Sequence, residues 1–364
     1  MKVLHIINNL GTGGAEKLLI DTIPLFNKKK RHVDLLTLDG NEYPYLKKLK
    51  ASSFLSVHSL NSRNIYNPLN IFKLIPYLRK YDLIHVHLFP AQYWVVLAKI
   101  FSFSKTKLVF TEHSTSNKRI VNSFFRVIDK FIYKFYAKVI CISDEIKDVL
   151  VKHLTIDESK LIVIENGIDI ELFTKTVSIN KSEINKNILD SDKLLIQVAG
   201  FRYQKDQVTA IKCLQHLPQD IKLLLVGDGE FRNDLEKLVN SLGLNERVFF
   251  LGIRLDVPVL LKSSDIVVIS SHWEGMPLSV IEGMASNKPV VASNVPGVFQ
   301  LVADAGLLFQ KGNDRELASK IEELLCDDVY YNEIAEKGFK HAQQFDVGKM
   351  IEKQMILYKE LLEK

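Results

Sequence analysis

Cysteine is scarce in this 364-residue chain: Cys141, Cys213 and Cys326 are odd in number and far apart. That excludes a disulfide scaffold and fits no zinc-site spacing, and ordinary free thiols predict a reducing compartment, the cytoplasm. Long apolar runs are missing too. The best candidate, Tyr93 to Phe103, is broken by Lys99 and has about half of the ~20 residues that a membrane span needs. The N-terminal apolar run turns polar at Asn8-Asn9, too early for a signal peptide. No low-complexity tract and no internal repeat is present. With 47% hydrophobic and 25% charged residues, a mainly disordered chain is excluded, and the length points to two domains.

Acidic residues are thin in the first half. Residues 1–178 carry 26 Lys+Arg against 16 Asp+Glu, and residues 179–364 carry 22 against 27, within an overall net charge of +5. The asymmetry predicts two domains with different partners, the basic one suited to phosphates or an anionic membrane surface. A lysine-rich solvated face accounts for the count equally well. No nucleic-acid-binding motif accompanies the basic half, so no nucleic-acid partner is expected.

Strand-like runs alternate with helical patterns throughout. Leu223-Leu224-Leu225-Val226 and Ile266-Val267-Val268-Ile269 are nearly continuous apolar stretches, as expected of parallel strands covered on both faces. The alternation predicts a doubly wound α/β architecture. It restarts at Leu194, after a polar segment, Thr174 to Asp192, that reads as the inter-domain connection. The expected domains are 1–172, 173–346 and a C-terminal helix, 347–364, packing back toward the first.

Two loops offer anion sites. The first predicted strand runs into Asn8-Asn9-Leu10-Gly11-Thr12-Gly13-Gly14-Ala15-Glu16. Glycines there let the backbone approach a ligand, and the helix that follows presents free N–H groups. A bare strand-to-helix turn needs fewer glycines. The spacing fails the dinucleotide fingerprint and the P-loop, which counts against a dehydrogenase or a P-loop NTPase.

The second runs from Ser270 to Ala285 and contains Glu274-Gly275-Met276-Pro277-Leu278-Ser279 and then Glu282. A helix starting near Pro277 or Leu278 puts Glu282 a little over one turn in, on the side of Glu274. The N–H groups of Met276, Leu278 and Ser279 then suit a diphosphate. The carboxylates repel phosphate but accept hydrogen bonds from sugar hydroxyls. Upstream, Arg202 and Lys205 follow the strand ending near Ala199, where α/β ligands bind, and supply cations for a leaving nucleoside diphosphate. The one Asp-x-Asp, Asp190-Ser191-Asp192, lies in the polar segment before the second series of strands and away from these loops, so no metal and no separate cofactor is expected.

Together these segments resemble the retaining glycosyltransferases of the GT-B fold, family 4. The likeness spans nearly the whole chain and includes Gly13-Gly14-Ala15-Glu16, Asp82 to His87, Thr111-Glu112-His113, Asn166-Gly167-Ile168-Asp169, Val226-Gly227-Asp228-Gly229, Ser264-Asp265 and the Glu274–Glu282 pair, the family's E-x7-E element. The resemblance implies two facing Rossmann-like domains with a cleft between them, the second binding a nucleotide-sugar and the first mainly the acceptor. It implies Glu282 on the ribose, Glu274 on the donor sugar and Lys205 on the diphosphate. It also implies that the Gly14 region closes over the diphosphate, with His113 beside the transferred sugar and the Gly252-Ile253 loop at the base. Relatives often carry their arginine at the position of Gly200, so Arg202 is displaced by two. They often carry glutamate at Gln300, after the Pro296-Gly297 turn. Family frequency favours UDP. The implied reaction is metal-independent hexosyl transfer to a glycan or lipid-linked acceptor for surface polysaccharide. A nucleotide-sugar epimerase or a non-catalytic GT-B binding module are the competing readings.

Residues 117–138 set Lys118, Arg119, Arg126, Lys130, Lys134 and Lys138 among aromatics, with one acid, Asp129. The last four cations recur every four residues, giving a helix with a basic stripe. This predicts peripheral attachment to the inner face of an anionic membrane, although a helix merely covering the sheet shows the same pattern.

Overall fold

The computed structural model describes residues 1–11, 13–28, 32–41, 43, 46, 49, 56–113, 123–154 and 156–363. The chain forms two compact units, Met1–Gly167 joined by Val347–Lys364, and Ile168–Asp346.

The first unit carries a seven-stranded, wholly parallel sheet. Its strands are β1 (Lys2–Ile7), β2 (His32–Thr37), β3 (Val57–Ser59), β4 (Leu83–His87), β5 (Lys107–Glu112), β6 (Lys138–Cys141) and β7 (Leu161–Val163). They are ordered β3-β2-β1-β4-β5-β6-β7. The order reverses between β1 and β4, so a crevice for ligand opens at their carboxyl ends. All five residues of β4 are buried, as a strand covered on both faces requires. The C-terminal helix Val347–Glu363 returns to this unit and buries Met350, Ile351, Tyr358 and Leu361.

The second unit repeats the design with six parallel strands, β8 (Lys193–Val198), β9 (Ile221–Val226), β10 (Val248–Gly252), β11 (Ile266–Ile269), β12 (Val290–Ser293) and β13 (Leu307–Phe309). Their order is β10-β9-β8-β11-β12-β13, with the reversal between β8 and β11. Leu195, Leu223, Leu225 and Val268 of this sheet pack with Ile211 and Ile321 of the flanking helices in one core cluster.

The segment expected to connect the domains, Thr174 to Asp192, instead belongs to the second unit. Lys181 Nζ pairs with Asp265 Oδ2 at 2.9 Å, and the same oxygen accepts from Leu194 N–H at 2.7 Å. Polarity there reflects a solvated outer face rather than a free tether. Strands β3 and β13 were not legible in sequence. Each is three residues long, and Val57-His58-Ser59 has a single apolar residue. Tyr93 to Phe103 falls on the helix Ala91–Ser102. Among the described residues no helix is long and apolar enough to cross a membrane.

Candidate active site

In the second unit the expected donor residues gather at the carboxyl ends of β8 and β11, the reversal point. Lys205 closes a short 3₁₀ turn, Tyr203–Lys205, and Glu274 lies in the loop after β11. Lys205 Nζ sits 2.7 Å from Glu274 Oε1. The same oxygen accepts from Ser271 Oγ at 2.5 Å, while Gln204 Nε2 bonds the Trp273 carbonyl at 2.8 Å and reaches Glu274 Oε2 at 3.4 Å. The Glu274 side chain is thus held by three neighbours and is only 5% exposed. Sequence reasoning placed Lys205 and Glu274 in one site but missed their direct pairing and the Ser271 and Gln204 contacts. Polar residues beside a motif carry no periodic signal.

Arg202 is exposed, and its Nε lies 3.7 Å from where a Cβ on Gly200 would stand. Its guanidinium nitrogen therefore lies in van der Waals range of the Gly200 side-chain position. It pairs with no carboxylate among the described residues. Arg202 thus leaves a positive charge on the loop, whereas the Lys205 charge is matched by Glu274.

The helix expected near Pro277 or Leu278 spans Leu278–Ala285, with Pro277 extended at its N-cap. Val280 N–H bonds the Pro277 carbonyl at 3.1 Å, whereas Leu278 and Ser279 stand too early in the helix for an intrahelical acceptor. Glu282 is its fifth residue, and at 1% exposure it is buried rather than open. Met276 and Leu278 are buried, and Gly275 and Ser279 are half-buried. Gly297 has φ +78°, and a Cβ there would lie 2.5 Å from the Glu274 carbonyl oxygen and 2.6 Å from that of Gly275. The Pro296-Gly297 turn therefore props the Glu274 loop from behind. Gln300 Oε1 accepts from Gly297 N–H at 3.1 Å, so the glutamine found here fastens that turn. Gly252 ends β10 with φ +65°, and Ile253 beyond it is exposed.

In the first unit Gly13 precedes the helix Gly14–Lys28 and accepts from Lys17 N–H at 3.0 Å. Gly14 is exposed. His113 follows β5 and is half-buried. Its Nε2 lies 3.1 Å from His87 Nδ1, and His87 Nε2 lies 3.0 Å from His5 Nδ1. His85 bonds Tyr358 Oη through Nδ1 at 2.5 Å and Thr111 Oγ1 through Nε2 at 2.6 Å. His5, His85 and His87 bring ring nitrogens within 4.8 Å of one another. Burial pushes His113 down to about 4 and His5 to about 3, and holds His85 and His87 well below the usual histidine range. The imidazoles are therefore neutral at neutral pH. Only His113 was expected in a site. The available signal for the rest was His85 and His87 two apart on a buried strand, which puts both on one face.

Of the basic stretch, 117–122 lies outside the described residues, and the helix spans Ser123–Tyr133. The helix therefore carries only Arg126 and Lys130 of the four expected stripe cations: Lys134 lies in the turn after it and Lys138 opens β6, so the basic stripe does not continue along one helix. Arg126 donates to the carbonyls of His153 and Lys152, and Lys138 Nζ to that of Ser159. Asp129 is interior, bonded to Tyr93 Oη and His153 Nε2. The exposed side carries Val127, Phe131 and Lys134.

Comparison with known proteins places the chain in a family. Residues 12–172 match the profile described as Glycosyltransferase Family 4, and residues 179–341 the profile described as Glycosyl transferases group 1. The chain belongs to glycosyltransferase family 4. This glycosyltransferase is 26% identical over 315 residues to the UDP-Gal:alpha-D-GlcNAc-diphosphoundecaprenol alpha-1,3-galactosyltransferase of Escherichia coli, covering 82% of this chain and 80% of that one. It is 26% identical over 363 residues to the N-acetylgalactosamine-N,N'-diacetylbacillosaminyl-diphospho-undecaprenol 4-alpha-N-acetylgalactosaminyltransferase of Campylobacter jejuni, covering 94% and 95%. Anabaena Alr3699/HepE, solved with UDP and glucose, shares the fold at a TM-score of 0.85 and 23% identity, covering 99% of this chain and all of that one. The glycosyltransferase thus has the GT-B fold, with two Rossmann-like parallel-sheet domains.

Proposed function

We propose that this glycosyltransferase moves a hexose from a UDP-sugar to a lipid-linked sugar, with retention and without a metal, at the cytoplasmic face of a membrane where surface polysaccharide is assembled. The observation that carries the reading is the Lys205–Glu274 pair at the reversal point of the second sheet, with Arg202, which pairs with no carboxylate among the described residues, on the same loop. An ammonium beside a carboxylate suits a molecule that is anionic at one end and hydroxylated at the other. Glu274 accepts from a hydroxyl of the transferred sugar and Glu282 from the ribose, while Lys205 and Arg202 balance the diphosphate. Backbone around Gly252 and Ile253 holds the base, the Gly13-Gly14 turn closes over the diphosphate, and His113 meets the transferred sugar. The N–H groups near Gly275, Met276, Leu278 and Ser279 add neutral donors.

In this reaction the bond from the anomeric carbon to the diphosphate oxygen breaks, and the acceptor oxygen bonds to that carbon on the same face. The departing phosphate oxygen takes the acceptor proton. The protein contributes orientation and electrostatic stabilisation of the leaving diphosphate. The diphosphoundecaprenol-linked acceptors in the names of the Escherichia coli and Campylobacter jejuni relatives support the acceptor class. UDP in the Anabaena structure supports the nucleotide.

The test combines a thermal-shift screen of UDP-, GDP- and ADP-sugars with transfer to a sugar-diphospholipid and NMR of the new linkage. Stabilisation by UDP-sugars, an unchanged anomeric configuration and full activity in EDTA are expected. Preference for another nucleotide, an inverted linkage, or EDTA inactivation rescued by Mg²⁺ would each overturn the corresponding part. Donor turnover giving an altered nucleotide-sugar without acceptor would point to an epimerase.

A further inference from the structure

The buried histidines of the first unit form a single hydrogen-bonded file, and the direction of that file has a consequence for His113. Parallel register sets His5 of β1 opposite His85 of β4, and His87 opposite Thr111 of β5. All four side chains share one face, and the C-terminal helix brings Tyr358 to it. The contacts then run Thr111 Oγ1, His85, Tyr358 Oη, His5, His87, His113. The weakest joint is Tyr358 Oη to His5 Nε2 at 3.5 Å.

A neutral imidazole has one N–H and one bare nitrogen, so each ring in such a file donates at one end and accepts at the other. Protons therefore point all toward His113 or all away from it. Tyr358 decides between the two, because it has one proton to give. His85 Nδ1 is 2.5 Å away, His5 Nε2 is 3.5 Å away, and Gln354 Oε1 is 3.4 Å away. The phenol proton goes to His85 Nδ1 or to Gln354 Oε1, which can only accept, rather than to His5 Nε2, the longest of the three contacts. Having spent its proton, Tyr358 only accepts from His5 Nε2–H. His5 Nδ1 is then bare and accepts from His87 Nε2–H, and His87 Nδ1 is bare and accepts from His113 Nε2–H.

We infer that Tyr358, His5 and His87 are positioning residues that fix His113 as the Nε2–H tautomer, leaving Nδ1 as a hydrogen-bond acceptor for a hydroxyl of the donor sugar. The sugar contact rests on the function proposed above, whereas the tautomer rests on the file alone. Mutual hydrogen bonding of the ring nitrogens also assigns this cluster to proton ordering rather than to metal ligation.

Long-range ¹H–¹⁵N spectra of histidine-labelled protein at neutral pH read the tautomer directly, with His113 assigned by difference against His113→Asn. A pyridine-type Nδ1 and a pyrrole-type Nε2 are expected for His113 in the unaltered protein. Tyr358→Phe removes the deciding proton, and should convert His113 to a tautomer mixture and weaken UDP-sugar binding about fivefold, the loss of one neutral hydrogen bond. His87→Asn, which cuts the file beside His113, should do the same if Tyr358→Phe fails to fold. An Nδ1–H tautomer, a protonated His113, or stoichiometric zinc in the purified protein would overturn the inference. Unchanged UDP-sugar affinity in His113→Ala, with the spectra as expected, would overturn the sugar contact and leave the tautomer standing.

Discussion

Lys205 Nζ and Glu274 Oε1 are 2.7 Å apart, joining the loops after β8 and β11 where the sheet order reverses. Under the function proposed above, the pair links donor binding to loop geometry, because a cation recruited by a diphosphate also positions the carboxylate for the sugar. Lys205→Ala should lower turnover more than it raises the donor KM, since charge develops on the leaving group. It also takes the Lys205 ammonium away from a largely buried carboxylate. The melting temperature should therefore fall, and Glu274→Gln added to Lys205→Ala should recover most of the loss but none of the activity. Calorimetry and initial rates on the two variants check both halves. A Lys205→Ala enzyme with the parent's turnover would end the phosphate role.

Glu282→Gln keeps the side-chain volume and removes the charge-assisted acceptor assigned to the ribose. Donor affinity should weaken by about 1.5–3 kcal/mol in titration calorimetry, with little change in the melting temperature. Because Glu282 is 1% exposed, Glu282→Ala should differ from the glutamine variant by an added loss of stability from the cavity. Equal donor affinity in parent and glutamine variant would remove Glu282 from the site.

Gly297 has a positive φ and also backs directly onto the Glu274 and Gly275 carbonyls. Gly297→Ala should therefore displace the Glu274 loop as well as incur the backbone strain of about 1–3 kcal/mol. Gly243 is the control, with φ +68° and nothing within 4 Å of a built Cβ. Gly243→Ala should lose stability alone, and Gly297→Ala both stability and donor affinity. Parallel losses of affinity in the two variants would contradict the propping role.

Much of this was legible in the sequence because burial on both faces of a parallel sheet writes itself as apolar runs. Ile266–Ile269 was read to the residue. The Leu278 helix start followed from proline chemistry. What escaped depends on contacts across the fold. The Lys205–Glu274 bond spans 69 residues and the His85–Tyr358 bond 273, and no local pattern encodes either. Gly297 looked like an ordinary turn glycine until the carbonyls behind it were located. The burial of Glu282 was missed because a glutamate in a sequence carries no mark of the packing around it.

The buried imidazoles also set a pH dependence. Folding lowers His5 to about 3 and pushes His85 and His87 well down, against an unfolded value of 6.5. Below 6.5 the unfolded chain takes up protons that the folded one refuses, so stability is full above about pH 7 and declines as pH falls toward 3. Each buried ring contributes a slope of about 1.4 kcal/mol per pH unit in that window. Urea unfolding at pH 7, 6 and 5 should show stability falling with several protons absorbed per molecule. A flat profile from pH 7 to 5 would mean that these rings are charged in the folded protein.

The basic helix Ser123–Tyr133 gives the last test, of membrane attachment. Val127 and Phe131 are 71% and 50% exposed and sit one turn apart, so they share a face. Lys130 is on this helix and Lys134 in the turn that follows it, and no carboxylate pairs with either among the described residues. Arg126 and Lys138 are engaged with carbonyls, so the attraction to anionic lipid falls chiefly to Lys130 and Lys134. Each lysine near such a surface contributes about 1 kcal/mol, and the two apolar side chains add burial in the headgroup boundary. The parent should co-sediment with vesicles containing phosphatidylglycerol, less so at high salt, and not with phosphatidylcholine alone. Lys130→Glu with Lys134→Glu should weaken binding by at least about 2 kcal/mol. Turnover of a short-chain, water-soluble acceptor should stay unchanged, because these residues are outside the donor machinery. Recovery of the parent in the supernatant under every condition would make a soluble glycan the better acceptor.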